Sequence, residues 1–315
     1  MDWFAVDKEG LKELQAGKPK HYILRELVQN AFDEPIKECI LNVDYIDGTT
    51  TINVCDDSPI GFRDLRDSYT LFKHTYKRKD PEKRGRFNIG EKQVFSICET
   101  AKVKTTKGTV ILDKDGRKEL PEKTNKGTIV TIRVKTTKRE YEDMVNIVRT
   151  YLVPKGIRFK VNDELINYKK PYKIIESKLM TEIEEGGILK KNVRKTKVNI
   201  LESNAPYLYE MGIPVQEIDC KYSIDVQQKI PLSIDRETVS PSFLRDLYAE
   251  VLNATYGEIG SEDSSQLWVR EALSDERVSK DAAQGVIKAR YGENVCVANP
   301  FDRHSIDEAL SKGYN

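Results

Sequence analysis

Apolar side chains in the first third of the chain follow two different periods. Between residues 20 and 34, Leu24, Leu27, Val28 and Ala31 recur at helical spacing, and Pro35 stops the segment. A shorter helix is predicted over 8–16, closed by Gly17 and Pro19. Residues 41–45 and 50–54 alternate with period two across Asp47-Gly48, which predicts a hairpin. A helix is predicted over 62–72, and a polar, basic, glycine-containing stretch, 73–90, then reads as a lid feeding an apolar segment at 93–98. Strand-like runs fill 103–134, with turns at Lys107-Gly108, Asp115-Gly116 and Lys126-Gly127.

Farther along, a helix is predicted over 141–152, and Pro154 and Gly156 punctuate the chain before a strand at 157–161. Gly186-Gly187 and the basic stretch 190–197 predict a loop, Val198 opens further strands, and 242–254 predicts a helix. The last part predicts helices over 280–291 and 305–312 around a strand at 294–298. Helices covering sheet faces give an α+β class, divided as 1–150, 151–258 and a small α/β segment at 259–315. Because that segment stops where another strand would start, a longer native polypeptide is expected.

Composition narrows the class without naming a partner. Lys and Arg total 52 against 51 Asp and Glu, so no global charge draws the chain to nucleic acid or to a membrane surface. No apolar run reaches bilayer length, and Met1-Asp2-Trp3-Phe4 lacks the pattern of a secretory signal, so a cytoplasmic location is expected. The five cysteines are scattered without a CxxC pair, which argues against a zinc site or a disulfide framework and for free thiols.

Candidate chemistry begins on the 20–34 helix, where Glu26, Asn30 and Asp33 share a face at spacings of four and three. Asn30 offers the hard neutral oxygen that Mg²⁺ accepts when phosphates supply most of its shell, and Glu26, one turn away, can take a proton from an attacking water. Next, Asp56-Asp57-Ser58-Pro59-Ile60-Gly61 places carboxylates at a strand end, where one can accept from an adenine amino group, with a glycine in close quarters. Arg84-Gly85-Arg86-Phe87-Asn88-Ile89-Gly90-Glu91-Lys92 then forms a glycine loop opening a helix, suited to cradle phosphates, with Lys92 adding charge. Finally, Gly127-Thr128 starts a strand with a hydroxyl that can brace the adenine carboxylate. Each feature alone is commonplace; their order along the chain points to a bound nucleotide.

That order, ExxxNAxD, DDxxxGF, GRFNIGEK and GT, resembles the Bergerat-type ATP-binding fold of the GHKL superfamily, which groups gyrase-type topoisomerase ATPases, heat-shock chaperones, histidine kinases and MutL. The resemblance implies a Bergerat α/β sandwich followed by a transducer-like α/β domain, with ATP and Mg²⁺ as cofactors. It implies Glu26 as general base, Asn30 as Mg²⁺ ligand, Asp56 as adenine acceptor, Gly61 as turn glycine and Thr128 as supporting hydroxyl. Gly85, Asn88, Ile89, Gly90 and Lys92 fall in the implied lid. Two departures matter. The usual DxGxG has an apparent extra residue here, so either Asp56 or Asp57 is the adenine partner. The inner lid glycine is Asn88, a residue that tolerates positive φ.

In the second domain, Gln228-Lys229 resembles the gyrase-type loop whose lysine touches the γ-phosphate. The run Pro231-Leu232-Ser233-Ile234-Asp235-Arg236-Glu237 resembles a chaperone catalytic loop with its arginine. The resemblance therefore implies Lys229 or Arg236 as γ-phosphate sensor. At a finer level, DDSP, GRFNIGEK and the MGIPV run at 211–215 are similar to phage and bacterial GHKL proteins of the rapid-lysis IIA-like kind. This implies a role in phage–host conflict or lysis control and, for a phage-encoded chain, the host cytoplasm.

Two functions follow. One is an ATPase switch in which ATP and Mg²⁺ close the lid, two chains dimerise through their N-terminal segments, and hydrolysis to ADP reopens them. The alternative is a nucleotide-dependent clamp or scaffold acting on a DNA or protein client with little turnover, the basic stretches 73–86 and 190–197 being its contact surfaces. A histidine kinase is disfavoured, because His21, His74 and His304 are the only histidines and none lies on a dimerisation helix upstream of the nucleotide motifs.

Overall fold

A computed structural model describes residues 6–233, 238–296 and 301–314, which divide into two compact units. The first contains the described residues up to 169 together with 183–190 and 211–214; the second contains 170–182, 191–210 and those from 215 onward. Both mix helices with sheets, and the fold is α+β.

The first unit is one eight-stranded sheet with helices on it. In chain order it contains α1 (Lys8–Glu13), α2 (Tyr22–Phe32), β1 (Glu38–Ile46), β2 (Thr49–Asp56), α3 (Gly90–Ile97) and β3 (Thr100–Thr105). There follow β4 (Gly108–Asp113), β5 (Gly116–Leu120), β6 (Ile129–Lys135), α4 (Lys138–Val148), β7 (Arg158–Val161) and β8 (Glu164–Ile166). The sheet order is β5-β4-β3-β6-β2-β1-β7-β8. The β1–β2 hairpin turns on Asp47 and Gly48 at φ 47° and 78°, the left-handed pair that lets a two-residue turn follow the twist of its strands. Its register sets Cys39 opposite Asp56, so β2 delivers Asp56 at the sheet end where β1 begins. Helix α2 buries Ile23, Leu24, Leu27, Val28 and Ala31 in a core shared with Leu41, Val43, Ile52 and Val54 of the hairpin. The apolar stripe read from the sequence is thus what seats this helix.

The second unit is built on a five-stranded sheet, β12-β11-β13-β10-β9. Its strands are β9 (Lys173–Glu185), β10 (Ile188–Glu202), β11 (Tyr207–Glu210), β12 (Ile213–Glu217) and β13 (Tyr222–Val226). They precede α5 (Pro241–Thr255), α6 (Leu267–Leu273), α7 (Lys280–Tyr291) and α8 (Arg303–Ser311). Phe243, Leu247 and Val251 of α5, Trp268 and Val269 of α6 and Val286 of α7 share one core with Val198, Ile200 and Ile224 of the sheet.

Several local expectations change. The helix expected over 62–72 is only a short 3-10 turn, Leu65–Ser68. There Lys73 Nζ reaches Asp64 Oδ2 at 2.6 Å and Asp67 Oδ1 at 2.5 Å, and Phe72 takes φ 56°, so side-chain bonds and a left-handed residue displace the helical ladder. The basic stretch 190–197 is not a loop but part of β10, with Thr196, Val198 and Ile200 buried and Lys191, Lys195 and Lys197 exposed between and before them. That alternation with period two is the strand signal, masked by its many lysines. Helix α4 starts earlier than 141 because Thr137 and Glu140 form a capping box. Residues 294–296 form no strand, and 297–298 lie outside the described residues. Among the described residues, no helix is long and apolar enough to cross a membrane.

Candidate functional site

Glu26 lies on the inner side of α2 and is 5% exposed. Its Oε2 accepts a hydrogen bond from Gln29 Nε2 at 2.5 Å, and Arg25 Nε stands 3.8 Å from Oε1. The carboxylate rests directly on Gly90, where a Cβ would lie 1.8 Å from Glu26 Oε2. Gly90 is the first residue of α3, and its N-cap, Ile89, supplies no side-chain cap. A carboxylate is therefore set beside a helix start to which the N-cap side chain contributes no hydrogen bond.

One turn along, Asn30 is half-buried; its backbone carbonyl accepts from Lys77 Nζ at 3.4 Å, and its side-chain amide has no hydrogen-bond partner among the described residues. Asp33, the third polar member of the face, is 1% exposed and binds the segment that leads into α3. It accepts from Arg84 Nη1 at 2.6 Å and from the backbone amides of Arg84 and Gly85 at 3.0 and 3.2 Å. Arg84 also donates through Nη2 to the Met211 carbonyl.

The end of β2 separates the two candidate adenine carboxylates. Asp57 Oδ1 accepts the amides of Lys37 and Glu38 at 2.8 and 3.0 Å. Burial pushes its pKa up, but those amides, together with Lys126, hold the carboxyl below the usual carboxylate range. It is committed to pinning the start of β1. Asp56 instead accepts from Ser58 N at 2.9 Å and from the Thr128 amide, and donates its own amide to the Thr128 carbonyl at 3.0 Å. Burial outweighs these bonds and, with the charges of Glu34 and Asp57, pushes Asp56 up to about 6. Thr128 thus braces Asp56 through its backbone; the hydroxyl expected to do so makes no hydrogen bond among the described residues. Beside them, Ser58 Oγ is buried with no hydrogen-bond partner among the described residues.

Glycine is required where these loops meet. Gly127 takes φ 70°, donates to Ser58 O at 2.6 Å, and a Cβ there would lie 1.8 Å from the Asp56 carbonyl. Gly61, at φ 61°, is the expected turn glycine, packed against Thr105.

Within 73–92, most of the cations are committed to acids of the same unit. Lys77 Nζ lies 2.9 Å from Glu34 Oε1, and Tyr76 Oη donates to both oxygens of Glu34 at 2.9 Å. Arg78 Nε lies 2.9 Å from Glu184 Oε2, and Lys73 holds Asp64 and Asp67 as described above. These pairings remove much of the charge that a DNA-contacting 73–86 stretch would need. Asn88 takes φ 54°, the conformation expected of a residue in a glycine's place. Its Nδ2 donates to Thr70 O at 3.0 Å, and its Oδ1 accepts from Lys92 Nζ at 3.0 Å. Lys92 also donates to the Asp67 carbonyl, and burial pushes its pKa down. It braces the loop from inside through these two bonds.

In the second unit Lys229 is fully buried, flanked by Gln228, which donates to the Leu179 carbonyl at 3.2 Å, and Ile230, whose amide donates to Glu210 Oε1 at 2.9 Å. Arg236 lies outside the described residues.

Sequence reasoning missed Gln29 and the partner of Asp33. The spacing of Gln29, three residues after Glu26, was a usable signal for a side-chain pair. The Asp33–Arg84 pair, 51 residues apart, left none.

No protein-family profile matches the sequence, and no curated protein matches it. Among solved structures, the chain is similar to the ATPase region of Saccharomyces cerevisiae topoisomerase II, at 11% identity and a TM-score of 0.44, over 69% of this chain and 76% of that one.

Proposed function

We propose that this chain is a GHKL-type, Mg²⁺-dependent ATP-binding and hydrolysing switch. The observation that carries the assignment is the Glu26 carboxylate lying against Gly90 at the start of α3. A phosphate chain drawn to those helix amides would arrive beside a buried carboxylate able to take a proton from water. The Asp56 carboxylate, half-buried and held by Ser58 and Thr128, supports its role as acceptor for the adenine amino group.

The residues fit a metal–nucleotide complex in one respect: Asn30 carries a side-chain amide with no protein partner, one turn from Glu26. Among the described residues no cluster of three or more His, Cys, Asp or Glu could hold a metal alone, so Asn30 would bind Mg²⁺ together with nucleotide oxygens. When bound, Mg²⁺ neutralises phosphate charge as the γ-phosphoryl group departs. Glu26 receives the proton of the attacking water, Asp56 and Thr128 orient the base, and the segment led by Arg84 and Gly85 closes over the phosphates as a lid.

Motif resemblance alone supports three further parts of the proposal: Lys229 or Arg236 as the γ-phosphate cation, ATP-dependent homodimerisation through the N-terminal segment, and a phage–host or lysis-control setting. Calorimetric titration tests the binding step. The wild-type chain should bind ADP and ATP with Mg²⁺, and Asp56→Asn should abolish binding; a wild type that binds neither nucleotide contradicts the proposal.

A further inference from the structure

Gln29 sits three residues beyond Glu26 on α2, and both residues are 5% exposed. Its amide Nε2 donates to Glu26 Oε2, the same oxygen that faces Gly90. Two other buried groups of α2 near Glu26, Tyr22 Oη and Arg25 Nε, make no hydrogen bond among the described residues. Gln29 thus hydrogen-bonds the oxygen that faces Gly90, while Arg25 Nε stands 3.8 Å from the other oxygen of the same carboxylate.

We infer that Gln29 is a positioning residue for Glu26, fixing its carboxylate toward the start of α3; the inference rests on Glu26 being the base of the proposed ATPase. A primary amide suits this task for a physical reason. It donates a charge-assisted hydrogen bond that orients the ionised carboxylate, but it brings no positive charge to neutralise the base as a lysine or arginine would. In hydrolysis, water oxygen bonds to the γ-phosphorus, the bond to the bridging oxygen breaks with its electron pair leaving on ADP, and the water proton passes to Glu26. Holding the acceptor carboxylate in one orientation affects that proton transfer, while nucleotide affinity depends on other groups.

The test uses the full chain with ATP, ADP and Mg²⁺. Gln29→Met removes the donor at similar volume and should lower kcat for phosphate release about tenfold or more, while KM and ADP affinity stay within about twofold. In a Glu26→Ala background, the same substitution should produce no further loss in single-turnover rate, since the group it positions is gone. Gln29→Leu repeats the measurement if Gln29→Met does not fold. A hydrolysing wild type together with an unchanged kcat in the variant overturns the inference alone, as does a parallel loss of kcat and ADP affinity. A wild type that neither binds nor hydrolyses ATP overturns the ATPase proposal and this inference with it.

Discussion

Asp33 and Arg84 form a buried pair in which one carboxylate holds both a guanidinium, at 2.6 Å, and the backbone amide of the same arginine, at 3.0 Å. The amide of Gly85 joins them at 3.2 Å. The end of α2 and the entry to the glycine loop are therefore one mechanical piece, and the loop's position is set by the helix that carries Glu26 and Asn30.

Removing the acid should be costly. Asp33→Ala removes the carboxylate that faces a buried guanidinium and is expected to destabilise the protein by about 3–5 kcal/mol, read from urea unfolding at neutral pH. Burial pushes the Asp33 pKa up, but the Lys77 and Arg84 charges and the Arg84 hydrogen bonds hold it below the usual carboxylate range. Its stabilisation is accordingly complete above the unfolded-state pKa of about 4 and is lost as pH falls through the folded value. Wild type should lose stability in acid more steeply than Asp33→Ala; parallel acid profiles would show that the pair contributes little.

Asp56 predicts the opposite sign. Its pKa rises from 3.8 to about 6 because partial burial disfavours the ionised form, so the folded protein holds a proton that the unfolded chain has released across that window. The group's contribution to stability is present below 3.8 and lost as pH rises through about 6. Nucleotide binding should move the other way, because the ionised carboxylate is the better acceptor for an adenine amino group. Calorimetry should find ADP binding about tenfold weaker at pH 5 than at pH 7. An affinity flat over that range would remove Asp56 from the adenine role.

Gly90 tests the carboxylate's placement without any ligand. A methyl group there would fall 1.8 Å from Glu26 Oε2, so Gly90→Ala is expected to cost about 1–3 kcal/mol in urea unfolding through overpacking. Combining it with Glu26→Ala opens the space and should recover most of that loss. Additive losses in the double variant would mean that the two groups are not in contact.

Assembly is checked by mass. With a non-hydrolysable ATP analogue and Mg²⁺ the chain should sediment as a dimer, and with ADP as a monomer, because γ-phosphate contacts supply the differential affinity for the closed form. A monomer under both conditions would favour the scaffold reading.

The polar face of α2, the hairpin turn at Asp47-Gly48 and the positive φ of Asn88 were legible in the sequence because each depends on local spacing or on the conformational range of one residue. What the sequence hid was long-range or competitive. Nothing local distinguishes Asp56 from Asp57; what separates them in the structure is the pair of amides, from Lys37 and Glu38, that occupies Asp57. Lys92 is drawn inward by the Asp67 carbonyl, a contact that exists only once the 62–73 segment folds against the loop. In β10, lysines concealed a strand whose inward positions were apolar or threonine.

The most direct measurement is steady-state phosphate release from ATP with Mg²⁺, compared between the wild-type chain and Glu26→Ala, with ADP affinity measured on both. The account predicts turnover by the wild type, loss of at least about a hundredfold in Glu26→Ala, and ADP affinities within a few-fold of each other. Phosphate release by Glu26→Ala at the wild-type rate would contradict it.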